Sequence, residues 1–399
     1  MNMNKIAFNI LTVPVLAVLA VSCGGQDEIY KEWVKKGGYD YPAKAINLSS
    51  VIGYQNVIVN WEKPMDPAVR TATLFWDNYA KSIDVDYADY PDGKVSIEVG
   101  DLEDRSYTFD IVNYDDVGNK SLAAEITVSP YGDGWMVSRS ERTVTSARME
   151  GRDAKIVMSK ATDEMVATRF RYKNLQDEWV ESETVLKPGE NEVTFKDAMK
   201  GKRFEYSSSF CPKAGKDTVW RTWTKSVDGI SYQIDGSRWN VTATNGQYFG
   251  INTPDKIFDG RYDRPAYSWH SSKSDNNKQA FPKILSVDTQ TSAGEEFAFT
   301  GFTFCENNTA ASLRYIKDYT IYVGSSYYNP DDADYLKNFG IPFIGGTLST
   351  SADQYSVNVT QGATGRYMAI VFKNSWNADD GFIDLWELIP YGYIPSLAD

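Results

Sequence analysis

The chain has one histidine, His270, and three cysteines in 399 residues. A single imidazole excludes two-histidine zinc sites and the HExxH arrangement, and any Ser-His-Asp triad would have to use His270. Cys23 stands in the N-terminal segment. Cys211 and Cys305 fall in segments that pattern as different domains, so two buried free thiols are expected and no disulfide framework. Basic residues are in deficit, 41 Lys and Arg against 54 Asp and Glu, for a net charge of −13. That balance argues against nucleic acid, whose phosphates need basic patches. It suits an extracytoplasmic protein with neutral ligands. Helical periodicity is almost missing, and only Glu28–Lys36, "EIYKEWVKK", reads as a short helix. Beyond residue 22 no apolar stretch is long enough to cross a membrane.

The one strongly apolar run is "KIAFNILTVPVLAVLAVSC", with Lys5 ahead of an apolar core from Ile6 to Val21. Its length is that of a signal-peptide h-region. Small residues Ala20 and Ser22 precede Cys23, and the segment resembles the lipobox of bacterial lipoproteins. Ala20 stands where that family most often has Leu. The resemblance implies a signal peptide over 1–22, acylation of Cys23 and a tether over 23–41. Several acyl chains anchor firmly where one is marginal, at about 0.8 kcal/mol per buried methylene. Asp27 and Glu28 resemble the export signal of Gram-negative surface lipoproteins, which implies an outer-membrane, lipid-anchored protein facing the exterior. The alternatives are an ordinary cleaved signal peptide and a solvated tether.

Short alternating strands, broken every ten residues or so by Gly, Asp, Asn and Pro, predict an all-β chain of sandwiches. In residues 42–130, Val57, Val59 and Trp61 share one strand face, and Tyr107, Phe109 and Ile111 another. Leu102 followed by Tyr107, with Trp61 and Pro64, resembles a fibronectin type III domain and its tyrosine corner, although Asp104 and Arg105 depart from the family pattern. Trp61 and Tyr107 are read as core. Residues 131–230 repeat the logic in "AKIVMSK", "ATRFRYKN", "NEVTFKD" and "FEYSSSF". The two modules together, with the "YKEW" start just after the tether, resemble a fibronectin-like segment near the N-terminus of polysaccharide-utilisation lipoproteins, to which no biochemical activity is assigned. Strand alternation puts Trp220 and Trp223 on opposite faces, one of them in the core.

Residues 234–395 carry ordered landmarks: "WNVTATN", "DKIFDG", "YSWHS", "PKILSVD", "FTGFTF", "IKDYTIYVGSS", "GRYMAIVF" and "IDLWELIPYGY". Their order resembles the discoidin, or coagulation-factor type C, domain. That is a galactose-binding-like jelly-roll, and its bacterial branches include the family 32 carbohydrate-binding modules. The resemblance implies ligand loops at one end and a structural Ca²⁺ held by Asp259 and Glu387, with Asp263 as a third candidate. Two carboxylates with loop carbonyls suit calcium, which takes six to eight oxygens. The alternative is an Asp capping its own turn and a Glu bonded to backbone. No redox or organic cofactor is implied. The acids Asp331, Asp332, Asp334 and the distant Glu306 have no EF-hand spacing and read as a solvated loop.

Aromatics are plentiful, 26 Tyr, 18 Phe and 11 Trp, and those in loops suit binding. Trp376 lies in a polar loop, flanked by Asn374 and Asn377, whose amides both donate and accept. An indole over the C–H face of a sugar removes apolar area from water. Tyr262, Arg264, Tyr267 and His270 border the same end in the resembling fold. Trp239, Trp269 and Trp386 sit on landmark strands and read as core. The reading is a non-catalytic, surface-anchored glycan-binding lipoprotein serving a polysaccharide-utilisation system, near a glycan transporter complex. The alternatives are a structural or protein-adhesion lipoprotein, and a glycosidase accessory subunit.

Overall fold

The computed structural model describes residues 41–244, 250–261, 268–271, 281–306, 315–349, 354–376 and 383–399. The segment 1–22, the tether with Cys23 and the helix expected over Glu28–Lys36 lie outside the described residues. The chain divides into two compact units, residues 1–132 and 133–399. It is almost entirely antiparallel β-sheet, arranged as small sandwiches.

The first unit holds β1 (Ile46–Ile52), β2 (Val57–Glu62), β3 (Val69–Trp76), β4 (Lys81–Asp86), β5 (Lys94–Val99), β6 (Tyr107–Asp115) and β7 (Ala124–Val128). One sheet has the order β1-β2-β5 and the other β4-β3-β6-β7. Alternation along β2 and β6 buries Val57, Val59, Trp61, Tyr107, Phe109 and Ile111 between them. The Tyr107 hydroxyl accepts the Glu103 N–H at 3.0 Å, tying the strand back to upstream backbone as a tyrosine corner does. A polar chain crosses this core. The Trp61 Nε1–H donates to the Tyr87 hydroxyl at 3.0 Å, and that hydroxyl donates to Asn113 Oδ1 at 2.8 Å. The Asn113 amide nitrogen donates to the Ala43 carbonyl at 2.8 Å. Each polar group in this chain of bonds thus has a partner, which keeps the cost of burying it low.

The second unit opens with a short helix, α1 (Asp133–Val137), and a sandwich of β8 (Val144–Glu150), β9 (Asp153–Met158), β10 (Met165–Lys173), β11 (Trp179–Glu181), β12 (Glu192–Phe195), β13 (Glu205–Phe210), β14 (Val219–Trp220) and β15 (Thr224–Lys225). The orders are β12-β9-β8 and β11-β10-β13, with β14 and β15 both on β13. Tyr172 stacks on Phe195 with ring centroids 4.4 Å apart, at the centre of a core with Phe170 and Phe204. Arg142 is buried yet donates to the carbonyls of Ser159, Lys187 and Glu190.

Trp220 and Trp223 do not lie on opposite faces. Strand pairing stops between β14 and β15, the Ser207 hydroxyl donates to the Arg221 carbonyl there, and alternation is lost. Both indoles flank the Arg169 guanidinium, at 4.5 and 4.7 Å, and neither is buried in the core. The ladder continues through Arg171, over Trp223 and Trp179, to Lys173 over Trp179.

A second sandwich completes the unit: β16 (Tyr232–Gln233), β17 (Asn240–Ala243), β18 (Trp269–His270), β19 (Lys283–Asp288), β20 (Phe297–Glu306), β21 (Ile316–Gly324), α2 (Tyr335–Phe339), β22 (Ile344–Thr347), β23 (Gln354–Gly365), β24 (Tyr367–Ser375) and β25 (Asp384–Tyr393). One sheet runs β16-β25-β20-β23 with β18 on β25, the other β17-β19-β24-β21-β22. Trp239, Trp269, Phe299, Phe302, Phe304 and Phe372 fill the space between. Glu306 is not part of a solvated loop: it ends β20, is buried, and accepts the Ile316 N–H at 2.7 Å. Cys305 is buried as expected, whereas Cys211 is only half-buried; both thiols are free.

Candidate functional site

The ends of several strands meet at one end of this sandwich. β18 lies beside the start of β25, with His270 opposite Asp384 and Trp269 opposite Leu385. Glu306 of β20 also pairs with Leu385, and Ile316 of β21 pairs with Ser375 of β24. Neighbouring backbone is tied down by side chains. The Asn252 amide donates to the Ser268 carbonyl at 2.9 Å, and the Ile383 N–H donates to the Ser271 hydroxyl at 2.8 Å.

Trp376 follows β24 directly. Its backbone N–H donates to the Tyr315 carbonyl at 3.0 Å and its Nε1–H to the Leu348 carbonyl at 3.1 Å. So fixed, the indole remains 42% exposed, with the Lys317 ammonium 4.8 Å from its ring centroid. An aromatic plate of this size at a surface, with its polar handle already satisfied, offers a rigid apolar face at little entropic cost. Lys317 reaches it through the β21–β24 register, which no local sequence pattern announces.

Asn374, two residues earlier, is otherwise engaged. Its carbonyl oxygen accepts the Asp318 N–H at 2.9 Å where the β21–β24 register shifts. His270 is half-buried on β18, and its backbone N–H donates to the Asn252 carbonyl. Tyr262, Asp263, Arg264, Tyr267 and Asn377 lie outside the described residues.

Asp259 and Glu387 do come together. A 3-10 turn over Pro254–Phe258 ends at Asp259, and Gly260 takes φ +75°, a conformation open to glycine. The tight turn turns the Gly260 N–H onto Glu387 of β25, whose two oxygens accept it at 3.3 and 3.2 Å. Asp259 Oδ1 accepts the Arg261 N–H at 3.0 Å and Oδ2 lies 3.7 Å from Lys256 Nζ. Burial pushes the Glu387 carboxyl up to about 8, and the Asp259 charge adds to the rise against the Gly260 N–H. Burial likewise raises Asp259. Cys305, opposite Glu387 in the sheet, is pushed up to about 12 by burial and then by Glu387, which leaves an inert thiol.

Two converging carboxylates, one of them buried with no cationic partner in ion-pair range among the described residues, have the charge that a divalent cation would balance. Among the described residues no group of three His, Cys, Asp or Glu side chains assembles, so further oxygens would have to come from carbonyls or water.

Residues 23–217 match the family DUF4998, a domain of unknown function. No curated protein matches the chain. Among solved structures, the chain is similar to the family 32 carbohydrate-binding module from C. perfringens NanJ, in complex with galactose: 18% identity, 41% of this chain and 99% of that one, TM-score 0.32. It is similar to a fucolectin from the serum of striped bass, Morone saxatilis: 12% identity, 73% and 84% covered, TM-score 0.32. It is also similar to a SusE-like protein: 12% identity, 63% and 96% covered, TM-score 0.34.

Proposed function

We propose that this chain is a non-catalytic glycan-binding lipoprotein. Acylated Cys23 anchors it to the outer membrane, facing the exterior. The fibronectin-like sandwiches carry a discoidin-like jelly-roll, and capture beside a transporter complex raises the local concentration of polysaccharide, so weak binding suffices. Trp376 is the observation that carries the reading: a tryptophan held at the strand end by its backbone N–H and its indole N–H, yet 42% exposed. Tyr262, Arg264, Tyr267, His270 and Asn377 read hydroxyl orientation around it, while Asn374 supports the strand end. Asp259 and Glu387, with Asp263, hold a structural Ca²⁺ that fixes the neighbouring turn.

A glycan array probed with the full chain, run beside an assay for released reducing sugar, tests this. Retention without release is expected, and Trp376→Ala should lower retention at least tenfold with the fold intact. Sugar release rejects the non-catalytic reading, and unchanged retention in Trp376→Ala rejects the site. Mass analysis of the mature N-terminal peptide tests acylation of Cys23.

A further inference from the structure

β8 and β23 are both edge strands, each the last in its sheet, and they belong to different sandwiches of the second unit. A cavity of about 370 Å³ lies between them, lined by residues 143–148, 227–229, 231, 300 and 358–359, with Tyr206. That size falls within the range of small-ligand pockets, roughly 300–1,000 Å³, which favour junctions of this kind. The walls are fixed. The Ser231 N–H donates to the Ala147 carbonyl at 2.9 Å, and the Met149 N–H to the Ser231 carbonyl at 2.8 Å. The Tyr393 hydroxyl donates to Asp228 at 2.9 Å, and the Gly362 N–H donates to the same carboxylate at 3.1 Å. A preformed cleft spares a ligand the entropy of ordering it.

Arg148 is the cation in this lining. Its guanidinium stacks on the Tyr391 ring, 3.5 Å from the centroid, and Nη2 donates to Asn358 Oδ1. Its buried Nε has no acceptor among the described residues, and no carboxylate among them forms an ion pair with it. A desolvated donor without an acceptor is costly, and a guanidinium with one N–H on Asn358 keeps further donors for a carboxylate. Around it, the Thr145, Ser231 and Thr300 hydroxyls donate to the carbonyls of Val157, Ala147 and Tyr391 and keep lone pairs that can accept a ligand hydroxyl, and Val144 and Val359 bring apolar surface. The Arg148 charge, with the Asp228 carboxylate of the lining already taken by Tyr393 and Gly362, acceptor hydroxyls and apolar walls fit a sugar that carries a carboxylate.

We propose that this cleft binds a small acidic sugar, a uronic acid or the uronic-acid end of an oligosaccharide, with its carboxylate on Arg148. This is a second site, independent of Trp376. Calorimetric titration of the full chain with sodium glucuronate, glucose and sodium acetate tests it. Glucuronate is expected to bind at least tenfold more tightly than either of the others. Thr145 is exposed on the cleft wall, so Thr145→Trp should fill the cleft and cut glucuronate affinity at least tenfold while the thermal midpoint stays put. Arg148→Gln should lower affinity for glucuronate to that for glucose, and Trp376→Ala should leave glucuronate binding unchanged. Absence of glucuronate binding by the folded chain overturns the proposal, as does equal binding of glucose or full binding by Thr145→Trp. Loss of glucuronate binding in Trp376→Ala places the sugar at the strand-end site and overturns this proposal alone. A chain that retains neutral glycans through Trp376 but ignores glucuronate leaves only the first reading standing.

Discussion

Glu387 takes the single N–H of Gly260 on both of its carboxylate oxygens, at 3.3 and 3.2 Å, from a position 4% exposed. Its folded carboxyl titrates at about 8 against an ordinary 4.5. Between those values the unfolded chain has released a proton that the native state keeps. Native stability is therefore full below the ordinary value and is lost as pH rises towards 8. In EDTA the thermal midpoint of the second unit should fall between pH 5 and pH 8.5 by roughly 5–10 °C, for a linkage of about 3 kcal/mol. Glu387→Gln should flatten the profile. Calcium at pH 8 should raise the wild-type midpoint and not that of the variant. A flat wild-type profile in EDTA rejects the buried protonated carboxyl.

Arg169 lies between Trp220 and Trp223, at 4.5 and 4.7 Å from their rings. Each such contact is worth about 0.5–1 kcal/mol at a partly exposed position. Arg169→Ala should therefore destabilise the second unit by about 1–2 kcal/mol in urea titration. A double-mutant cycle with Trp223→Ala should recover a coupling of about 0.5–1 kcal/mol. Additive effects of the two substitutions would show that the ladder is geometry without energy.

The first sandwich was legible because alternation and burial coincide there. Val57, Val59 and Trp61 point inward in sequence and in space. Trp220 and Trp223 misled the same rule, since alternation holds only while a strand stays paired, and pairing lapses between β14 and β15. Glu306 looked like a surface acid, and its burial goes with a bond to Ile316, ten positions on, that pattern reading does not join. Asp259 and Glu387 could be matched only through the order of landmarks, because 127 positions separate the Gly260 N–H from the carboxylate it meets. The cleft had no signature at all. Its walls come from five stretches of chain, and the Arg148–Asn358 bond spans 210 positions.

Asn113 is fully buried and serves Tyr87, Ala43 and Ser121 at once. Asn113→Ala leaves the Tyr87 hydroxyl without its acceptor and the Ala43 carbonyl without this donor. The cost should be about 2–3 kcal/mol, carried by the first unit. Tyr87→Phe breaks two links, stranding the buried Trp61 Nε1–H and Asn113 Oδ1, and should cost about as much. Urea unfolding followed by tryptophan fluorescence measures both. Equal and small effects would mean that water replaces the network without loss.

Asp228 joins the two sandwiches of the second unit, accepting the Tyr393 hydroxyl and the Gly362 N–H. Its own residue sits in the stretch between β15 and β16, so its carboxylate holds the later sandwich to the segment that leads into it. Asp228→Ala strips both donors of their acceptor, at about 1–3 kcal/mol if neither finds another. Tyr393→Phe removes one donor and spares the Gly362 bond, so it should cost less. If these bonds make the two sandwiches unfold together, calorimetry of the wild-type chain should show one transition for residues 133–399. In Asp228→Ala that transition should broaden or divide while Tyr393→Phe keeps it single. A wild-type unit that already unfolds in two steps would refute the coupling. It would also predict a cleft too loosely held to bind anything tightly, which links this measurement to the glucuronate titration.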